Sequence, residues 1–395
     1  MNMLERAQKI HNEIVRLRRD FHQHPELSFQ EVRTAGIVAD TLAEIGVPNI
    51  KTQVGRTGVT AQIGNGKGPT IGIRADMDAL PIVEQTDVPF KSQNDGVMHA
   101  CGHDSHTAML LGAAHLLQQS FAEEGDQWHG NIRFLFQPSE ESFDAQGVSG
   151  ATAMIDDGAL EEIDAVIALH IISNLDAGTC YFCDGYSMAA VDSFEATIYG
   201  DGGHGAYPHE GRDPIFMLSS VLPNIYGIQS RYINPLAPSV VSIGEVRGGA
   251  APNVIPKSVY VQGTIRSFEE EVRQKLWEEI DRAFKLTEVL GGSYDLKIHK
   301  GYPSNYNNAE VNSWLRNVAL ETVGTDHVVD QPFGMGAEDF SYMGLKAPGA
   351  MFMLGGQVPN GGNHHTATFD IDENVFPIGS AILAETARRF VLKKL

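Results

Sequence analysis

The segment from Met98 to His106, MHACGHDSH, concentrates side chains that can bind a metal ion or transfer a proton. Its nine residues include three histidines, one cysteine and one aspartate. Thiolate, imidazole and carboxylate ligands together suit Zn²⁺ or a similar divalent transition metal. A single histidine on an apolar face is usually a hydrogen-bonded core residue, so the segment indicates a metal site only if further ligands reach it.

Further polar side chains follow apolar segments elsewhere in the chain. They are Asp76 and Asp78 at the end of IGIRADMD, Glu140 and Glu141 at the end of RFLFQPSEE, His170 at the end of VIALH, and His364 and His365 after GAMFMLGG. In open α/β sheets, sites form beyond the carboxyl ends of the strands, so we expect these groups to converge on one edge. The candidates outnumber the four ligands of one zinc ion, which favours two metal ions that share a bridging ligand.

The adjacent glutamates can divide two roles between them. Successive side chains of an extended segment point to opposite sides, so Glu140 and Glu141 cannot easily bind the same ion. One carboxylate can then bind metal while the other transfers a proton. The alternative, from the residues alone, is a solvated acidic turn.

The spacing of apolar residues indicates the elements that carry these groups. GVTAQIG, PTIGIRAD, NIRFLFQP and AVIALH are typical of buried strands, and SHTAMLLGAAHLLQQS is typical of a helix. The turn Asn65-Gly66-Lys67-Gly68 predicts a hairpin between the first two strands. Continuous apolar strands separated by helices favour an α/β sheet covered on both faces.

The pattern changes near Met188. Alternating strands such as SFEATIYGDGG and KSVYVQGTIRSF follow, with long helices set apart from them. This segregation predicts a smaller α+β domain over residues 188–302, inserted into an α/β domain formed by residues 1–187 and 303–395.

Bulk composition excludes several classes of protein. The 395 residues carry a formal net charge of −21, which disfavours binding to nucleic acid. The chain has no run of eighteen apolar residues and no apolar signal core at its N-terminus, so we expect no membrane span and no secretion. Only three cysteines occur, which fits a reducing cytoplasm better than a disulfide scaffold.

The chain resembles, nearly end to end, the amidohydrolase branch of the di-metal aminoacylase and carboxypeptidase superfamily. That branch includes hippurate hydrolases, auxin–amino-acid conjugate hydrolases and N-acyl-amino-acid deacylases. The matching segments are RRDFHQHPELSFQE, IRADMDALP, HACGHDSHTAMLLGAAHLL, FQPSEES, GGHGAYPH, PNVIP, GTIRSF and AEDFS. The resemblance implies an α/β metallopeptidase catalytic domain with a mixed sheet and covering helices, and an inserted lid and dimerisation domain.

The resemblance also implies a role for each polar group in the first domain. Cys101 would bridge both metal ions, His103 and His170 would complete one site, and Glu141 and His365 would complete the other. His364 stays open as an alternative to His365, because Ala367 replaces the proline usual in that loop. Glu140 would be the general base, and Asp78 would support the metal ligands from behind. His99 and His106 are interpreted as structural residues or as supports behind the ligands, and not as ligands themselves.

In the inserted domain, the resemblance assigns one residue to catalysis and two residues to substrate binding. His204 would reach the active site, often from the partner subunit of a homodimer, and Asn253 and Arg266 would hold a substrate carboxylate. A guanidinium fork meets a carboxylate with two hydrogen bonds, so arginine suits that role. From the residues alone, Arg266 would be interpreted as a surface residue at a strand end.

The predicted function is therefore metal-dependent hydrolysis of the amide bond of N-acyl amino acids in the cytoplasm. Zn²⁺ is the first choice of metal, with Mn²⁺, Co²⁺ and Ni²⁺ as alternatives. A carboxypeptidase or dipeptidase acting on short peptides is the alternative function. A metal-binding protein without activity is disfavoured by the intact Glu140 and the full ligand set.

A zinc nucleobase deaminase would need H-x-E followed by P-C-x-x-C. The sequence has an H-x-E at His24, far from the C-x-x-C pair Cys180 and Cys183, and Thr179 stands where the proline is required. We expect that pair to lie where a strand enters a turn, as two structural thiols.

Overall fold

The computed structural model describes all residues from Met1 to Leu395. They divide into two compact units. Unit 1 contains Met1–Gly185, Tyr306–Phe333 and Tyr342–Leu395, and unit 2 contains Tyr186–Asn305 and Gly334–Ser341. The boundaries expected from the sequence placed residues 334–341 in the larger domain, whereas the structure groups Gly334–Ser341 with unit 2. None of the helices combines the length and the apolar character needed to cross a bilayer.

The helices and strands are numbered along the chain. The helices are α1 (Met3–Lys9), α2 (His11–Gln23), α3 (Val32–Glu44), α4 (His103–Glu124), α5 (Gly150–Asp156), α6 (Pro214–Arg231), α7 (Glu270–Phe284), α8 (Leu286–Val289), α9 (Ala309–Val323), α10 (Phe340–Gly344) and α11 (Phe376–Val391). The strands are β1 (Lys51–Val54), β2 (Gly58–Gly64), β3 (Thr70–Asp76), β4 (Asn131–Gln137), β5 (Ala165–Ile172), β6 (Cys180–Phe182), β7 (Gly185–Met188), β8 (Ala190–Tyr199), β9 (Gly203–His204), β10 (Ser239–Gly248), β11 (Val254–Ile255), β12 (Ser258–Ser267), β13 (Ser293–Lys300), β14 (Asn305–Asn307), β15 (Val328–Asp330) and β16 (Gly349–Gly355).

Unit 1 is built on an eight-stranded mixed sheet with the order β1-β2-β4-β3-β5-β16-β6-β15. The four central strands, β4, β3, β5 and β16, run parallel, while β2 and β6 run against them. Helices α3, α4, α9 and α11 pack on this sheet. The predicted α/β class with a mixed sheet is confirmed, and the carboxyl ends of the central strands share one edge.

The predicted hairpin between β2 and β3 is wrong, because β4 lies between them. Strand β2 pairs antiparallel with β4, and β3 pairs parallel with β4 on its other side. The turn after Gly64 therefore links two strands that are not neighbours. The residues of the turn favour a hairpin locally. Insertion of β4 between β2 and β3 is more favourable, because it buries Ile132, Phe134 and Phe136 in the core.

Helix α4 is buried around most of its circumference, which explains its Ala- and Leu-rich sequence. Fifteen of its 22 residues are buried, from His103 to Ser120. It packs against α2 and α11 as well as β3. Each buried Leu or Met side chain contributes roughly 1.5–3 kcal/mol. Packing therefore fixes this helix, and its first turn carries polar side chains to the edge of the sheet.

Unit 2 has its own sheet and its own core. Its four antiparallel strands have the order β10-β12-β8-β13. Along β8, buried residues alternate with more exposed ones, as expected for a sheet covered on one face. Helices α6 and α7 cover that face, and Phe194, Val261 and Ile280 lie in the shared core. The predicted α+β character of this region is confirmed.

Candidate metal centre

Gly102 shapes the start of the candidate site. It precedes α4 with φ +93°, a left-handed conformation that favours glycine. A Cβ at this position would lie 2.5 Å from Cγ2 of Ile171. The glycine between Cys101 and His103 therefore allows a sharp turn against β5, with a candidate ligand on each side of it.

His103 is oriented by hydrogen bonds from one side of its ring. Its Nδ1 lies 2.9 Å from the backbone oxygen of Asp78 and 3.2 Å from Oδ1 of the same residue. Its Nε2 is buried and has no hydrogen-bond partner. A proton on Nδ1 leaves the Nε2 lone pair available, which is how metal-binding histidines are usually held.

His170, at the end of β5, is held in the same manner. Its Nδ1 lies 2.7 Å from the backbone oxygen of Ile171, and its Nε2 lies 3.6 Å from Sγ of Cys101. Burial, reinforced by neighbouring histidines, holds the pKa of His170 well below its usual value. The ring is therefore neutral, with a lone pair directed at the thiol.

Two of the five groups of potential metal-ligand atoms share Cys101, and these two are the candidate ligand groups. In each group the atoms lie within 4.8 Å of one another: Cys101, His103 and His170 form the first, and Cys101, Glu141 and His365 form the second. Oε1 of Glu141 is buried without a hydrogen bond and lies 3.8 Å from Nε2 of His103. Nε2 of His365 lies 3.4 Å from the same oxygen.

His364 and His365 occupy different environments. The backbone N–H of His365 donates to Ala100 at 2.8 Å, and its φ of +60° turns the ring towards Glu141. His364 instead accepts a hydrogen bond from the backbone N–H of Ser173 at 3.1 Å and packs against Phe369. The geometry groups His365, not His364, with the other candidate ligands.

Asp78 lies behind these groups, and both of its carboxylate oxygens are used. Oδ1 accepts from the backbone N–H of Glu140 at 3.0 Å, and Oδ2 accepts from that of Glu141 at 3.0 Å. The hydroxyl of Ser28 donates to Oδ2 at 2.6 Å. With its contact to His103, Asp78 connects one candidate ligand to the backbone of both glutamates.

Asp76 and His106 form a second supporting pair, which the sequence analysis had not linked to each other. Nδ1 of His106 donates to Oδ1 of Asp76 at 2.6 Å, and its Nε2 accepts from the backbone N–H of Ile171 at 2.9 Å. Both ring nitrogens are therefore used, so His106 is structural, as its sequence suggested. Asp76 also pairs with Arg74 at 2.7 Å, and its position at the end of a buried strand was the only signal for it.

The charges around the candidate ligands favour a cation. Burial alone would lower the pKa of His103, but Asp76, Asp78 and Glu141 raise it to about 10. Burial, followed by Glu141 and Glu140, holds the pKa of the Cys101 thiol well above its usual value. The same negative potential attracts divalent cations, which in turn favour the thiolate. The buried Nε2 of His103 and Oε1 of Glu141, which have no hydrogen bond, and a soft thiol close to two imidazoles fit a transition-metal site.

The predicted catalytic residue His204 and the predicted substrate-binding residues Asn253 and Arg266 all lie in unit 2. His204, on β9, is paired with Val254 on β11, and the backbone N–H of Gly205 donates to Asn253 at 2.8 Å. His204 and Asn253 are therefore neighbours on one exposed ribbon. Arg266 is half-buried in the four-stranded sheet, and its described hydrogen bonds go to two neutral oxygens, on Thr264 and Ile265.

The C-x-x-C pair has none of the features of a reactive or metal-binding site. Cys180 is buried in β6, and burial raises its pKa to about 12. Cys183 follows the strand, and burial raises its pKa as well. Protonated thiols of this kind are poor nucleophiles and poor ligands.

Comparison with known proteins identifies the family of the chain. The chain is 40% identical to thermostable carboxypeptidase 1 of Saccharolobus solfataricus over 97% of each chain, and 39% identical to N-acetyl-L-cysteine deacetylase of Bacillus subtilis over 97% of this chain and 89% of that one. A crystal structure of a dinuclear metal-binding M20 peptidase from Bacillus subtilis matches with a TM-score of 0.83 and 34% identity, covering 98% of this chain and 100% of that chain. Residues 72–389 match the model of peptidase family M20/M25/M40. The chain therefore belongs to peptidase family M20/M25/M40, whose members hydrolyse amide bonds.

Proposed function

We propose that this protein hydrolyses the amide bond of N-acyl amino acids. Two divalent metal ions would be held by Cys101, His103, His170, Glu141 and His365, with Zn²⁺ as the first choice and Mn²⁺, Co²⁺ or Ni²⁺ as alternatives. The observation that carries the proposal is that Sγ of Cys101 belongs to both candidate ligand groups. An atom shared by two groups of ligands can bridge a pair of neighbouring cations.

The chemistry needs an activated water and a group that moves its proton. Bound divalent cations would supply Lewis acidity, which lowers the pKa of water from about 15.7 towards about 7 and polarises a carbonyl. Glu140 would take the proton from the attacking water and return it to the departing amine nitrogen. Its carboxylate is buried, and Oε2 lies 3.9 Å from Nε2 of His103.

Asp78 would position both glutamates without touching substrate. Each of its oxygens holds one of two consecutive backbone amides, so Glu140 and Glu141 cannot shift independently. A general base needs fixed geometry relative to the reacting atoms, because small displacements lose much of the rate.

Cys101 is unsuited to act as the nucleophile. Its thiol is buried among carboxylates that raise its pKa, whereas nucleophilic cysteines have lowered pKa values in positively charged surroundings. The residues therefore support a water molecule as the attacking group, with the thiol as a ligand.

Substrate specificity would come from unit 2. Burial lowers the pKa of Arg266, and its positively charged guanidinium is suited to binding a negatively charged substrate carboxylate. Asn253 would bind the same carboxylate, and His204 would stabilise the oxyanion that forms on the substrate carbonyl. Nδ1 of His204 accepts the backbone N–H of Ala206 at 3.1 Å, which leaves Nε2–H as a donor.

A carboxypeptidase or dipeptidase is the second candidate function, favoured by the full-length match to a thermostable carboxypeptidase. Both functions place a free carboxylate next to the scissile amide, so they share the proposed roles. The two functions are separated by an assay of the enzyme after its metal has been removed with a chelator and added back. The assay compares turnover of acetyl and benzoyl amino acids with turnover of dipeptides. We also propose that the protein forms a homodimer through unit 2, and native mass spectrometry tests this oligomeric state. The proposed location of the enzyme is the cytoplasm.

The general-base role is tested with Glu140→Gln. The variant should keep its metal content but lose at least roughly 100-fold in kcat, the usual scale for such a group. Glu141→Gln is the matched comparison, because it should lower metal content as well. Near-normal turnover by Glu140→Gln would remove Glu140 from its role.

A further inference from the structure

The turn that carries Glu140 and Glu141 begins with an unfavourable backbone conformation. Ser139 has φ +45°, in the left-handed region that non-glycine residues rarely adopt. Such a conformation persists only where the surroundings hold it. Ser139 immediately precedes both glutamates, so its backbone angles set the direction in which the two side chains leave β4.

Two buried carboxylates hold three consecutive amides of this turn. Asp78 accepts the N–H groups of Glu140 and Glu141, as described above. The N–H of Ser139 donates instead to Oε1 of Glu31, at 2.9 Å. The positive-φ residue is therefore held by a side chain from a distant part of the chain.

Glu31 is fully buried and connects three segments. Its Oε1 also accepts the backbone N–H of Phe29 at 2.9 Å, and its Oε2 accepts the hydroxyl of Thr57, in the turn between β1 and β2. Burial, followed by the nearby Asp78 carboxylate, raises the pKa of Glu31 to about 7. A carboxyl group in this position is costly to bury, so its effect on the turn has to be separated from any effect on stability.

We propose that Glu31 is a positioning residue for the Glu140–Glu141 pair. Its Oε1 keeps Ser139 in the left-handed conformation, and thereby keeps the candidate general base and its neighbouring ligand in their relative positions. The consequence for turnover rests on the proposed function, since it assumes the roles of Glu140 and Glu141. The effect of Glu31 on the turn itself rests only on the geometry.

The contacts of Glu31 supply matched variants. The substitution Glu31→Gln would keep an acceptor for Ser139 and Phe29 and place the side-chain NH₂ group towards Thr57, whose hydroxyl can also accept. Glu31→Ala removes the acceptor entirely. Thr57→Val removes a hydrogen bond on the other oxygen and leaves the contact with Ser139 intact.

The direct test is amide hydrogen exchange in the metal-free protein. Protection in the segment that contains Ser139 should fall at least about tenfold in Glu31→Ala, because its N–H loses its only described acceptor. Glu31→Gln and Thr57→Val should stay within about twofold of the unchanged protein. Equal protection in Glu31→Ala and the unchanged protein would overturn the proposal.

Steady-state kinetics with saturating metal give the second measurement. We expect kcat of Glu31→Ala to fall at least about tenfold with KM within about threefold, while Glu31→Gln and Thr57→Val retain kcat. A purely structural residue would lower the melting temperature in Glu31→Ala and Thr57→Val and leave kcat unchanged, and that result would also overturn the proposal.

The test remains decisive if Glu31→Ala does not fold or if the proposed role of Glu140 is wrong. If Glu31→Ala does not fold, Glu31→Asp takes its place under the same criteria, because it keeps the charge but is one methylene too short to reach Ser139. If Glu140→Gln retains activity, the proposed function fails, whereas hydrogen exchange still decides whether Glu31 holds the turn.

Discussion

Two candidate ligands of unit 1, His103 and His170, and two predicted site residues of unit 2, His204 and Asn253, are held in opposite ways. His103 and His170 are buried, and in each ring Nδ1 lies within hydrogen-bonding distance of a backbone oxygen. His204 and Asn253 are exposed, on a ribbon of two-residue strands. A metal ion needs donor atoms fixed before it binds, whereas a group that meets substrate must stay accessible.

The charges around His103 in unit 1 also differ from those around Arg266 in unit 2. Around His103 the charges are numerous and close, so each one alters the pKa of the next. The described hydrogen bonds of Arg266 go to neutral oxygens, and the carboxylate that acts on its charge, Asp192, is paired with Arg273. We therefore expect changes in unit 1 to act on metal binding and turnover together, and changes in unit 2 to act on the choice of substrate.

The largest effect is expected from Cys101→Ala, because Sγ is shared by both ligand groups. The variant should lose most of its bound metal and at least roughly 1,000-fold in activity, since a general base without activated water contributes little. Metal analysis after dialysis, with activity on an acyl amino acid, measures both. Cys183→Ala is the control, since that thiol lies outside the groups, and unchanged metal content in Cys101→Ala would reject the shared ligand.

The next largest effect is expected from Asp78→Asn. An asparagine side chain presents an NH₂ group to backbone donors that need an acceptor, so the glutamate turn and His103 should lose their alignment. Metal affinity should fall roughly 10–100-fold, the usual result of removing such support, as measured by competition with a chelator. Asp144→Asn, in the loop after Glu141, should change affinity by less than about threefold, and equal losses in both variants would contradict the assignment.

A smaller and more selective effect is expected from Arg266→Ala. A lost charge-assisted hydrogen bond is worth about 1.5–3 kcal/mol, so KM for substrates with a free carboxylate should rise roughly 10–100-fold. Amides without that carboxylate should change little. Arg247→Ala, on the neighbouring strand β10, is the control because its side chain is exposed and paired with Glu245. Equal slowing of both substrate classes would argue against the carboxylate role.

The smallest effect is expected on the pH dependence of the free energy of unfolding, through the carboxyl group of Glu31. Its pKa is raised to about 7 in the folded protein, so the folded state binds the proton more tightly than the unfolded state does. The free energy of unfolding should therefore fall, relative to Glu31→Gln, as pH rises from about 4.5 to about 7, by on the order of 1–3 kcal/mol. Urea unfolding of both metal-free proteins at pH 5 and pH 8 measures the difference, and a constant difference would show that Glu31 does not titrate there.

The sequence was sufficient for the local features of the site. The residue types in the segment from Met98 to His106 indicated candidate metal ligands before any contact was known. Apolar strands that end in polar residues predicted a convergent edge, and the parallel central strands bring those ends together. The prediction of a shared edge was correct because each apolar strand and the polar residues that end it are adjacent in the sequence.

The sequence was insufficient where distant segments compete for the same neighbour. It predicted a hairpin between β2 and β3, but β4 occupies the position between them. It left His364 and His365 as alternatives, because adjacent residues of a loop point to different sides and only the backbone at His365 decides which one faces Glu141. It assigned no role to Glu31, whose partner Ser139 is 108 positions away.

The sequence by itself determined which chemical groups this protein has and on which kind of element each one lies. The tertiary structure alone decided which of them meet: that Cys101 belongs to two ligand groups, that Asp78 holds both glutamates, and that Glu31 reaches the residue before them. The physical reason is that spacing along a chain fixes local conformation, whereas contacts between distant residues follow from the packing of the whole core.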